Sequence, residues 1–420
     1  MESVIYLNFA ISVIFTLCYF YQFVYVFIGL ITKPKKFTAK KNHRYAVVIS
    51  ARNEACVIGN LIQSVKEQSY PSELVDVFVV ADNCTDNTAD AARSAGAIVY
   101  ERFNKEYVGK GYALDWLFTN IKNDYAHKNF EAYIIFDADN ILEHDYIENM
   151  NKVFDNGYRI ITSYRNSKNY GDNWLTAGYS LWFLREARYL NNARMKLGNS
   201  CAVSGTGFLV SADVIEENGG WVHHLLTEDI EFTADSIIKG EKIGYCADAV
   251  LYDEQPSSFC VSYKQRLRWA KGFYQVLYHY GWKLFKGIFK GSFSCYDMLM
   301  MLSPAMLLTI SSVLINIGAI AISAFIAPAY IPMLFEVLAK TVLSFYFMFF
   351  ALGAVTIITE WNKINCKNSK KILHLFTFPL FLLTYAPIAI IALFKRVKWE
   401  PIRHSVTKTI DDIEHEFVRK

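Results

Sequence analysis

The stretch Tyr133-Ile134-Ile135-Phe136-Asp137-Ala138-Asp139 decides the fold that the sequence predicts. Its first four residues indicate a short buried strand, Tyr133–Phe136, and two carboxylates come directly after it. Carboxylates at positions i and i+2 beyond a strand can share one divalent cation, because hard cations such as Mg²⁺ and Mn²⁺ prefer oxygen ligands. Asp-x-Asp is also common in capped turns, so the motif is weak by itself.

A short apolar run followed by polar residues occurs twice more, upstream of this stretch. Ser50–Glu54 follow one predicted strand, and Asp82–Asp86 follow another. Helix-compatible segments alternate with the strands, which predicts an α/β domain with a parallel sheet and helices on both faces. Ligands of such sheets bind at the carboxyl ends of the strands, so we expect the polar clusters to meet at one nucleotide-binding edge. The strands are predicted at Tyr45–Ser50, Val75–Ala81, Ala97–Tyr100 and Tyr133–Phe136, and the helices at Ala55–Gln68 and Thr88–Ala95.

The composition excludes several classes of protein. The chain has 420 residues, of which 53% are hydrophobic and 20% charged, a mixture too apolar for an ordinary soluble enzyme and too charged for a purely membranous bundle. The net charge of +3 gives no reason to expect a nucleic-acid partner. Eight cysteines without C-x-x-C spacing argue against a zinc site or a disulfide framework and suit a reducing cytosol.

Apolar runs at both ends indicate membrane spans. Val4–Ile31 carries no charge and exceeds the roughly 20 residues that a spanning helix needs, so residues 1–32 are predicted to form a retained anchor. Lysines from Lys33 to Lys41 follow it and place its C-terminal end in the cytosol. The catalytic domain, residues 41–279, is therefore expected to be cytosolic in a multi-pass protein of the cell membrane.

The region 298–395 is predicted to hold about three further segments. The segments are expected at Met298–Phe325, Val337–Thr359 and Leu375–Phe394. A third full span would place Lys395, Arg396 and Lys398 outside the cell, against the positive-inside rule. The path of the last segment, and the side of the tail 396–420, stay open.

Two stretches have the composition of helices that lie in a membrane surface. Trp174–Leu197 mixes aromatic and aliphatic residues with Arg185 and Arg188, and Tyr280–Phe293 interleaves aromatics with lysines. Basic amphipathic helices of this kind bind membrane surfaces, and the domain 280–293 is predicted to do so. An ordinary helix packed on the catalytic domain explains the first stretch equally well and the second less well.

Two further motifs carry reactive or recognition groups. In Thr227-Glu228-Asp229, Asp229 could serve as a general base, although Thr227 could equally be a helix N-cap. In Gln265-Arg266-Leu267-Arg268-Trp269, Arg268 offers a planar fork for phosphate oxygens and Trp269 a flat face for a sugar ring. A basic helix with an interfacial Trp is the alternative for that motif.

Three lesser stretches are ambiguous. Gly109-Lys110-Gly111 lets an ammonium and the backbone approach a diphosphate, although no P-loop pattern is present. Ser204-Gly205-Thr206-Gly207 permits close approach of an acceptor, and a tight turn explains it equally well. Asp253-Glu254-Gln255-Pro256 is predicted to be a loop.

In chain order, Asp82, Asp137-x-Asp139, Thr227-Glu228-Asp229 and Gln265-x-x-Arg268-Trp269 resemble the motifs of glycosyltransferase family 2. The resemblance is greatest to its membrane-bound cellulose, chitin and hyaluronan synthases, and it covers the soluble domain and the layout of flanking spans. It implies a GT-A (Rossmann-like) fold, a UDP-sugar donor, and Mg²⁺ or Mn²⁺.

The same resemblance implies roles for individual residues. Nucleotide-sugar binding falls to Asn53, Glu54, Asp82, Lys110, Asp137, Gln265 and Arg268; metal binding to Asp137 and Asp139; catalysis to Asp229 as the base, with Glu228 and Arg268; and acceptor binding to Trp269, Gly205 and Thr206.

The expected function is that of an inverting, processive β-glycan synthase that passes its product through the membrane. The alternative is a non-processive enzyme that glycosylates a lipid or lipid-linked acceptor. A transporter or receptor with a nucleotide-binding module is the third class of function. No intramembrane cluster of ionisable residues supports it. The sequence does not identify the sugar, which is expected to be a hexose or an N-acetylhexosamine. It also does not tell whether the chain acts as a homo-oligomer or with an accessory export subunit.

Overall fold

The computed structural model describes residues 2–302 and 304–418. Its central feature is a mixed sheet in which eight strands follow the order β3-β2-β1-β4-β7-β6-β8-β5. The strands are β1 Tyr45–Ala51, β2 Val75–Asp82, β3 Ile98–Arg102, β4 Ala132–Asp137, β5 Ile141–Leu142, β6 Ile160–Ser167, β7 Phe208–Ser211 and β8 Ile243–Asp253.

The prediction of a parallel sheet is confirmed for β3, β2, β1 and β4, and β6 and β8 also pair in parallel, but two strands depart from it. β7 runs antiparallel to both β4 and β6, and β5 runs antiparallel to β8. The loop before β7 lies at the edge where β4 ends, since the amide of Gly207 bonds to the carbonyl of Ile135. A chain that enters the sheet from that edge must run back down it, which makes β7 antiparallel.

Helices surround the sheet and extend from it. They are α1 Glu2–Ile31, α2 Ile58–Lys66, α3 Thr88–Ser94, α4 Lys110–Tyr125, α5 Tyr146–Phe154, α6 Trp174–Arg185, α7 Asn192–Leu197, α8 Ala212–Glu217, α9 Glu228–Lys239, α10 Phe259–Phe289, α11 Phe293–Leu302, α12 Pro304–Ile326, α13 Ile331–Thr359, α14 Asn368–Leu383, α15 Tyr385–Phe394 and α16 Ile410–Val418. A π-helical turn, Glu186–Asn191, joins α6 to α7.

The core lies where the central strands are covered on both faces. Val47, Val48 and Ile49 of β1 and Ile134 and Ile135 of β4 are completely buried. Continuous apolar runs of this kind are what a two-sided parallel strand requires. Each large side chain buried there contributes about 1.5–3 kcal/mol relative to an exposed position.

The stretch Trp174–Leu197 is helical as predicted, but it is packed rather than spread on a surface. Nearly all of α6 is buried, and Trp182 alone among its large apolar residues is exposed. A Cβ on Gly178 would lie 2.3 Å from the ring of Phe381, so α6 and α14 pack too closely for any side chain larger than that of glycine at this position. α6 is thus covered both by β6 of the sheet and by the apolar helix α14.

Four helical segments of the described residues are long and apolar enough to cross a membrane. They are Val4–Ile31, Phe293–Ile326, Pro328–Thr359 and Asn368–Phe394. A buried polar cluster ties the first to the second: Asp297 accepts from Arg194 Nε at 2.7 Å and from the hydroxyls of Tyr21 and Tyr25, each at 2.9 Å. The cluster fixes the N-terminal helix against the start of the C-terminal helices.

The predicted interface helix, 280–293, is not a separate element. Residues 280–289 are the end of α10, and Phe293 already belongs to α11. No proline interrupts α10, and its glycines serve close packing, since a Cβ on Gly287 would lie 2.4 Å from Cys295 Sγ. The helix therefore continues unbroken from the catalytic domain.

The segment 396–420 is predicted as a tail, and its described part, residues 396–418, returns to the catalytic domain. Residues 395–409 have no regular structure, and α16 follows them. Ile410 and Ile413 are buried in the main core, and Glu416 accepts from Asn365 Nδ2 at 2.8 Å. The apolar face of α16 thus anchors the end of the described chain.

Candidate active site

The ends of β1 and β2 form one wall of the site. Asn53 adopts a left-handed backbone (φ 59°), and its side-chain oxygen accepts from the amide of Thr85 at 2.8 Å. Asp82 is buried and accepts from Arg102 Nη1 at 2.5 Å. The two loops are therefore joined, as expected for neighbouring strand ends.

Asp137 and Asp139 follow β4 and are held by different parts of the chain. The amide of Asp137 donates to Thr206 Oγ1 at 2.9 Å, and Asp139 Oδ2 accepts from the amide of Glu254 at 3.0 Å. Asp139 is buried, whereas the side chain of Asp137 is partly exposed. The first contact fixes the backbone of Asp137 beside Thr206. The second fixes the carboxylate of Asp139 beside Glu254.

Lys110 connects the Asp-x-Asp corner to the loop before β7. Its ammonium donates to the carboxylate of Asp137 and, at 2.6 Å, to the carbonyl of Gly205. Burial alone would lower the pKa of Lys110, but the charges of Asp137 and Glu228 outweigh it and raise that pKa. The lysine is therefore a fixed cation at the first turn of α4.

The loop Ser204–Gly207 faces the proposed base. Gly205 has φ 82°, and a Cβ built on it would lie 3.5 Å from Asp229 Oδ2. Gly207 has φ 64° and no room for a side chain, because a Cβ would lie 1.9 Å from Leu251 Cδ2. Glycine is needed at both positions, and the loop passes close to Asp229.

Glu228 and Asp229 occupy the first turn of α9. Burial, and then the charge of Asp229, raise the pKa of Glu228 to about 7. Burial also raises the pKa of Asp229, against the amide of Ile230 and the charges of Lys110 and Arg268, which lower it. A raised pKa makes each of these carboxylates a stronger proton acceptor than an exposed one.

The motif Gln265–Trp269 lies on α10, directly against the residues that precede Glu228 and Asp229. Arg268 Nη1 donates to the carbonyl of Leu226 at 2.7 Å, and a Cβ on Gly272 would lie 2.4 Å from Thr227 Oγ1. The side-chain oxygen of Gln265 is buried and has no hydrogen-bond partner within the described chain. It is thus available to a ligand.

Trp269 contacts aromatic rings of the neighbouring helices. Its ring centroid lies 5.7 Å from that of Tyr179 and 6.4 Å from that of Phe183. Both belong to α6, and Phe381 of the apolar α14 joins the same cluster. Trp269 therefore belongs to an aromatic wall that continues into the apolar helices.

The sequence interpretation missed a pair at the end of β8. Asp253, predicted to lie in a loop, is the last residue of that strand and accepts from Arg165 Nε at 2.8 Å. Asn140 Nδ2 donates to the other carboxylate oxygen of Asp253 at 3.2 Å. Burial raises the pKa of Asp253 to about 6, because the charge of Arg165 offsets it only in part.

The C-terminal segment is the second element that was missed. His404 Nδ1 lies 2.8 Å from Glu54 Oε1, and the amide of Val406 donates to Glu254 at 2.9 Å. The guanidinium of Arg52 lies 5.3 Å from the ring centroid of Trp399. Burial lowers the pKa of His404, but the charges of Asp139 and Glu54 raise it to about 10. The segment therefore brings a cation to the Asp-x-Asp corner.

The donors at this corner suit a hard cation. Asp137 and Asp139 supply carboxylate oxygens, which Mg²⁺ and Mn²⁺ prefer. Among the described residues, the exposed group His144, Asp411 and Glu414 places three ligand atoms close enough to hold one ion. Asp137 and Asp139 belong to no such group of three within the described residues. An ion at the corner would therefore need oxygens from a bound diphosphate to complete its shell.

Comparison with known proteins places the domain in context. A family model described as glycosyltransferase like family 2 matches residues 43–272. The probable glycosyltransferase YdaM of Bacillus subtilis is 24% identical over 275 residues, 59% of this chain and 59% of the relative. The beta-monoglucosyldiacylglycerol synthase of Synechocystis is 25% identical over 252 residues, 56% of this chain and 51% of the relative. The chain thus spans a little over half the length of these curated relatives.

One solved structure is similar along almost the whole chain. The mannosyltransferase PcManGT from Pyrobaculum calidifontis, in complex with GDP-Man and Mn2+, has a TM-score of 0.57 at 17% identity, covering 93% of this chain and 99% of its own. At that identity the likeness shows the fold alone.

Proposed function

Because the chain belongs to the glycosyltransferase like family 2 and has a GT-A fold, we propose that it is an inverting glycosyltransferase that transfers a hexose from a UDP-sugar to a lipid or lipid-linked acceptor. One observation carries this proposal. The carboxylate of Asp229 faces the Gly205 loop, and the positive charges of Lys110 and Arg268 both act on it. A base beside two cations suits the attack of a hydroxyl on a sugar that leaves an anionic diphosphate.

The donor lies along the strand ends in this proposal. Asn53, Glu54 and Asp82 surround the nucleoside, and Lys110, Gln265 and Arg268 surround the diphosphate. The two loops of the nucleoside wall are joined through Asn53 and Thr85, and the free side-chain oxygen of Gln265 can accept from a hydroxyl of the bound sugar. Buried groups held in this way need little reorganisation when the donor binds.

The transfer is a single displacement. The acceptor hydroxyl gives its proton to Asp229, its oxygen forms a bond to the anomeric carbon, and the bond to the diphosphate breaks on the opposite side with both electrons leaving on UDP. One displacement inverts the anomeric centre, so an α-linked donor yields a β-glycoside. Arg268 and Lys110 stabilise the charge that grows on the leaving group.

The carboxylates of Asp137 and Asp139 would hold the metal ion. When bound, Mg²⁺ or Mn²⁺ supplies positive charge to the phosphate oxygens of the donor. The amide of Glu254 orients Asp139, and Lys110 orients Asp137.

A lipid acceptor is supported by the surroundings of Trp269. Its aromatic wall includes Phe381 of α14, a helix within the apolar segment Asn368–Phe394. An acceptor headgroup stacked on Trp269 would thus keep its apolar part beside apolar helices. The relative from Synechocystis, named for a glucosylated diacylglycerol, supports the same class of acceptor.

A processive β-glycan synthase is the second candidate. The motif Gln265-x-x-Arg268-Trp269 beside a set of apolar helices favours it. In that case Trp269 would stack on the terminal sugar of a growing chain, and several transfers would follow each binding event.

Membrane placement follows from the charged flanks of the apolar helices. We place the catalytic domain in the cytosol, because Lys33, Lys35 and Lys36 follow α1 and nucleotide sugars are cytosolic donors. A multi-pass topology with four segments is part of the same proposal.

The test is transfer by the purified full-length chain in lipid nanodiscs. Radiolabelled UDP-glucose, UDP-galactose and UDP-N-acetylglucosamine are each supplied with diacylglycerol, and the products are resolved by thin-layer chromatography. A labelled glycolipid from one donor, lost in Asp229→Asn, is expected. Long polymer without any lipid product would favour the second candidate, and no transfer from any nucleotide sugar would refute both.

A further inference from the structure

The helix α10 carries two different surfaces along one unbroken rod. Its first half holds Gln265, Arg268 and Trp269 at the candidate active site. Its second half exposes four aromatic side chains that no other element covers, and their exposed fractions are 85%, 65%, 41% and 78% for Tyr278, Trp282, Phe285 and Phe289. Spacings of four, three and four residues place all four on one face of a helix. We call this face the aromatic stripe.

Three lysines border the aromatic stripe on one side. Lys283, Lys286 and Lys290 are exposed, and the ammonium of Lys286 lies 5.4 Å from the ring centroid of Trp282. Within the described residues, none of the three lies within ion-pair distance of a carboxylate. The sequence from Phe259 to Tyr296 contains no Asp or Glu at all. The border is thus purely cationic.

The opposite face of the same half-helix is fully occupied. Val276 and Leu284 are buried in a cluster with Cys295 and Met298 of α11 and with Ile230 and Ile237 of α9. This packing fixes the rotation of α10, so the aromatic stripe must point away from the protein. Phe289 is four residues from the start of α11, which opens the apolar segment Phe293–Ile326.

We propose that the aromatic stripe and its lysines dock onto anionic phospholipid headgroups at the membrane surface. Aromatic side chains prefer the boundary between headgroups and acyl chains, and a basic helix face lies in that plane. Each lysine near an anionic surface contributes on the order of a fivefold preference, so three together favour a charged headgroup strongly. Charge complementarity decides between headgroups, because a zwitterionic surface offers no net charge to an unpaired lysine border.

Docking at this surface would set the position of the active-site motif. Arg268 and Gly272 contact Leu226 and Thr227, so the same rod touches the loop before Asp229. No break separates residue 272 from residue 290. The anionic lipid content of the membrane is therefore expected to tune the transfer rate, a consequence that rests on the proposed function.

The lipid preference itself can be measured without any transfer. The full-length chain is placed in nanodiscs that contain a brominated phosphatidylglycerol or a brominated phosphatidylcholine at the same content, about 30 mol %, a charged surface comparable to a natural leaflet. Quenching of Trp282 fluorescence is obtained as the difference between the wild-type chain and Trp282→Phe. The test variant, called the stripe variant, is Lys283→Gln/Lys286→Gln/Lys290→Gln. The matched control triple variant is Lys66→Gln/Lys122→Gln/Lys239→Gln, which changes exposed lysines of the catalytic domain.

The expected result is stronger quenching by the anionic lipid in the wild-type chain and in the control triple variant, and equal quenching by both lipids in the stripe variant. Equal quenching in the wild-type chain, or a preference that survives in the stripe variant, would overturn the proposal. Quenching by neither lipid would show that the aromatic stripe meets water or another protein, and would overturn it too. If transfer is also observed, several-fold activation by anionic lipid should vanish in the stripe variant; absence of all transfer would count against the proposed function alone.

Discussion

The Nδ1 atom of His404 lies 2.8 Å from a carboxylate oxygen of Glu54, although 350 positions separate the two residues in the chain. Glu54 follows the first strand of the sheet, and His404 follows the last apolar helix. The contact joins the C-terminal segment to the wall of the donor site. It makes residues far outside the matched family region part of the same site.

Replacement of His404 by Gln should weaken donor binding. The substitution removes the charged partner of Glu54, and a hydrogen bond between charged groups contributes about 1.5–3 kcal/mol. We expect the KM for the UDP-sugar to rise roughly tenfold, with a smaller change in the KM for the acceptor. His415→Gln, at an exposed position of α16, is the matched control and should behave as the wild-type chain. A donor KM unchanged by His404→Gln would show that the C-terminal segment does not contribute to donor binding.

The pH dependence of transfer should respond to Glu228. Transfer needs Asp229 in its ionised form, and burial raises the pKa of Asp229, which moves the rising limb of the pH–rate profile towards neutrality. Burial and the charge of Asp229 raise the pKa of Glu228 to about 7, so Glu228 is largely neutral while Asp229 ionises. Glu228→Gln should therefore remove a second inflection near pH 7 and leave the rising limb of Asp229 nearly in place. Initial rates in Glu228→Gln and the wild-type chain across pH 5–9 test this, at roughly one-unit steps. An inflection near pH 7 that persists in Glu228→Gln would contradict the coupling of the two carboxylates.

Changes at Trp269 should separate the acceptor from the donor. An aromatic contact contributes about 0.5–1.5 kcal/mol, so Trp269→Ala should raise the acceptor KM roughly 3- to 10-fold. Trp269→Phe keeps a ring beside Tyr179 and Phe183 and should retain most of the affinity. The donor KM, measured in the same assays, should change little in either variant. A rise confined to the donor KM would show that Trp269 contributes to donor binding and not to acceptor binding.

Removal of divalent cations should stop transfer, and Asp139 should set how much metal is needed. Chelation followed by graded return of Mn²⁺ or Mg²⁺ gives the half-activating concentration. Asp139→Asn keeps the acceptor for the amide of Glu254 but loses a charged ligand, so that concentration should rise at least about tenfold. Asp155→Asn changes a carboxylate on the far side of the domain, beside His43, and serves as the control. Full activity after chelation would rule out the metal role.

The strands and the order of the motifs were accessible from sequence for a physical reason. Strands buried on both faces must be continuous apolar runs, so Tyr45–Ser50 and Tyr133–Phe136 were recognisable without a structure. Their polar ends at Asp82 and Asp137 meet in the sheet as predicted. The direction of β7 was not accessible, because a four-residue strand carries no sign of the edge from which it enters.

The C-terminal contribution could not be predicted in the same way. Residues 395–409 have neither helical nor strand periodicity, and no motif marks His404. Its partners, Glu54 and Glu254, lie on two loops that approach each other only after the sheet has formed. The length of α10 is not predictable from the sequence for a related reason. The composition becomes basic and aromatic near residue 280, which indicates a boundary between two elements. In the structure the helix continues, and only its surroundings change.

The central claim is that Asp229 is the base of a sugar transfer. The most direct test compares initial transfer rates of purified wild-type chain, Asp229→Asn and Asp213→Asn in nanodiscs, with the sugar donor and the lipid acceptor both saturating. Asp213 is an exposed carboxylate in the first turn of α8 and controls for loss of a surface charge. Asp229→Asn should bind UDP normally yet lose transfer by a factor on the order of 10²–10⁴, while Asp213→Asn stays at the wild-type rate. Transfer by Asp229→Asn at the wild-type rate would contradict the account.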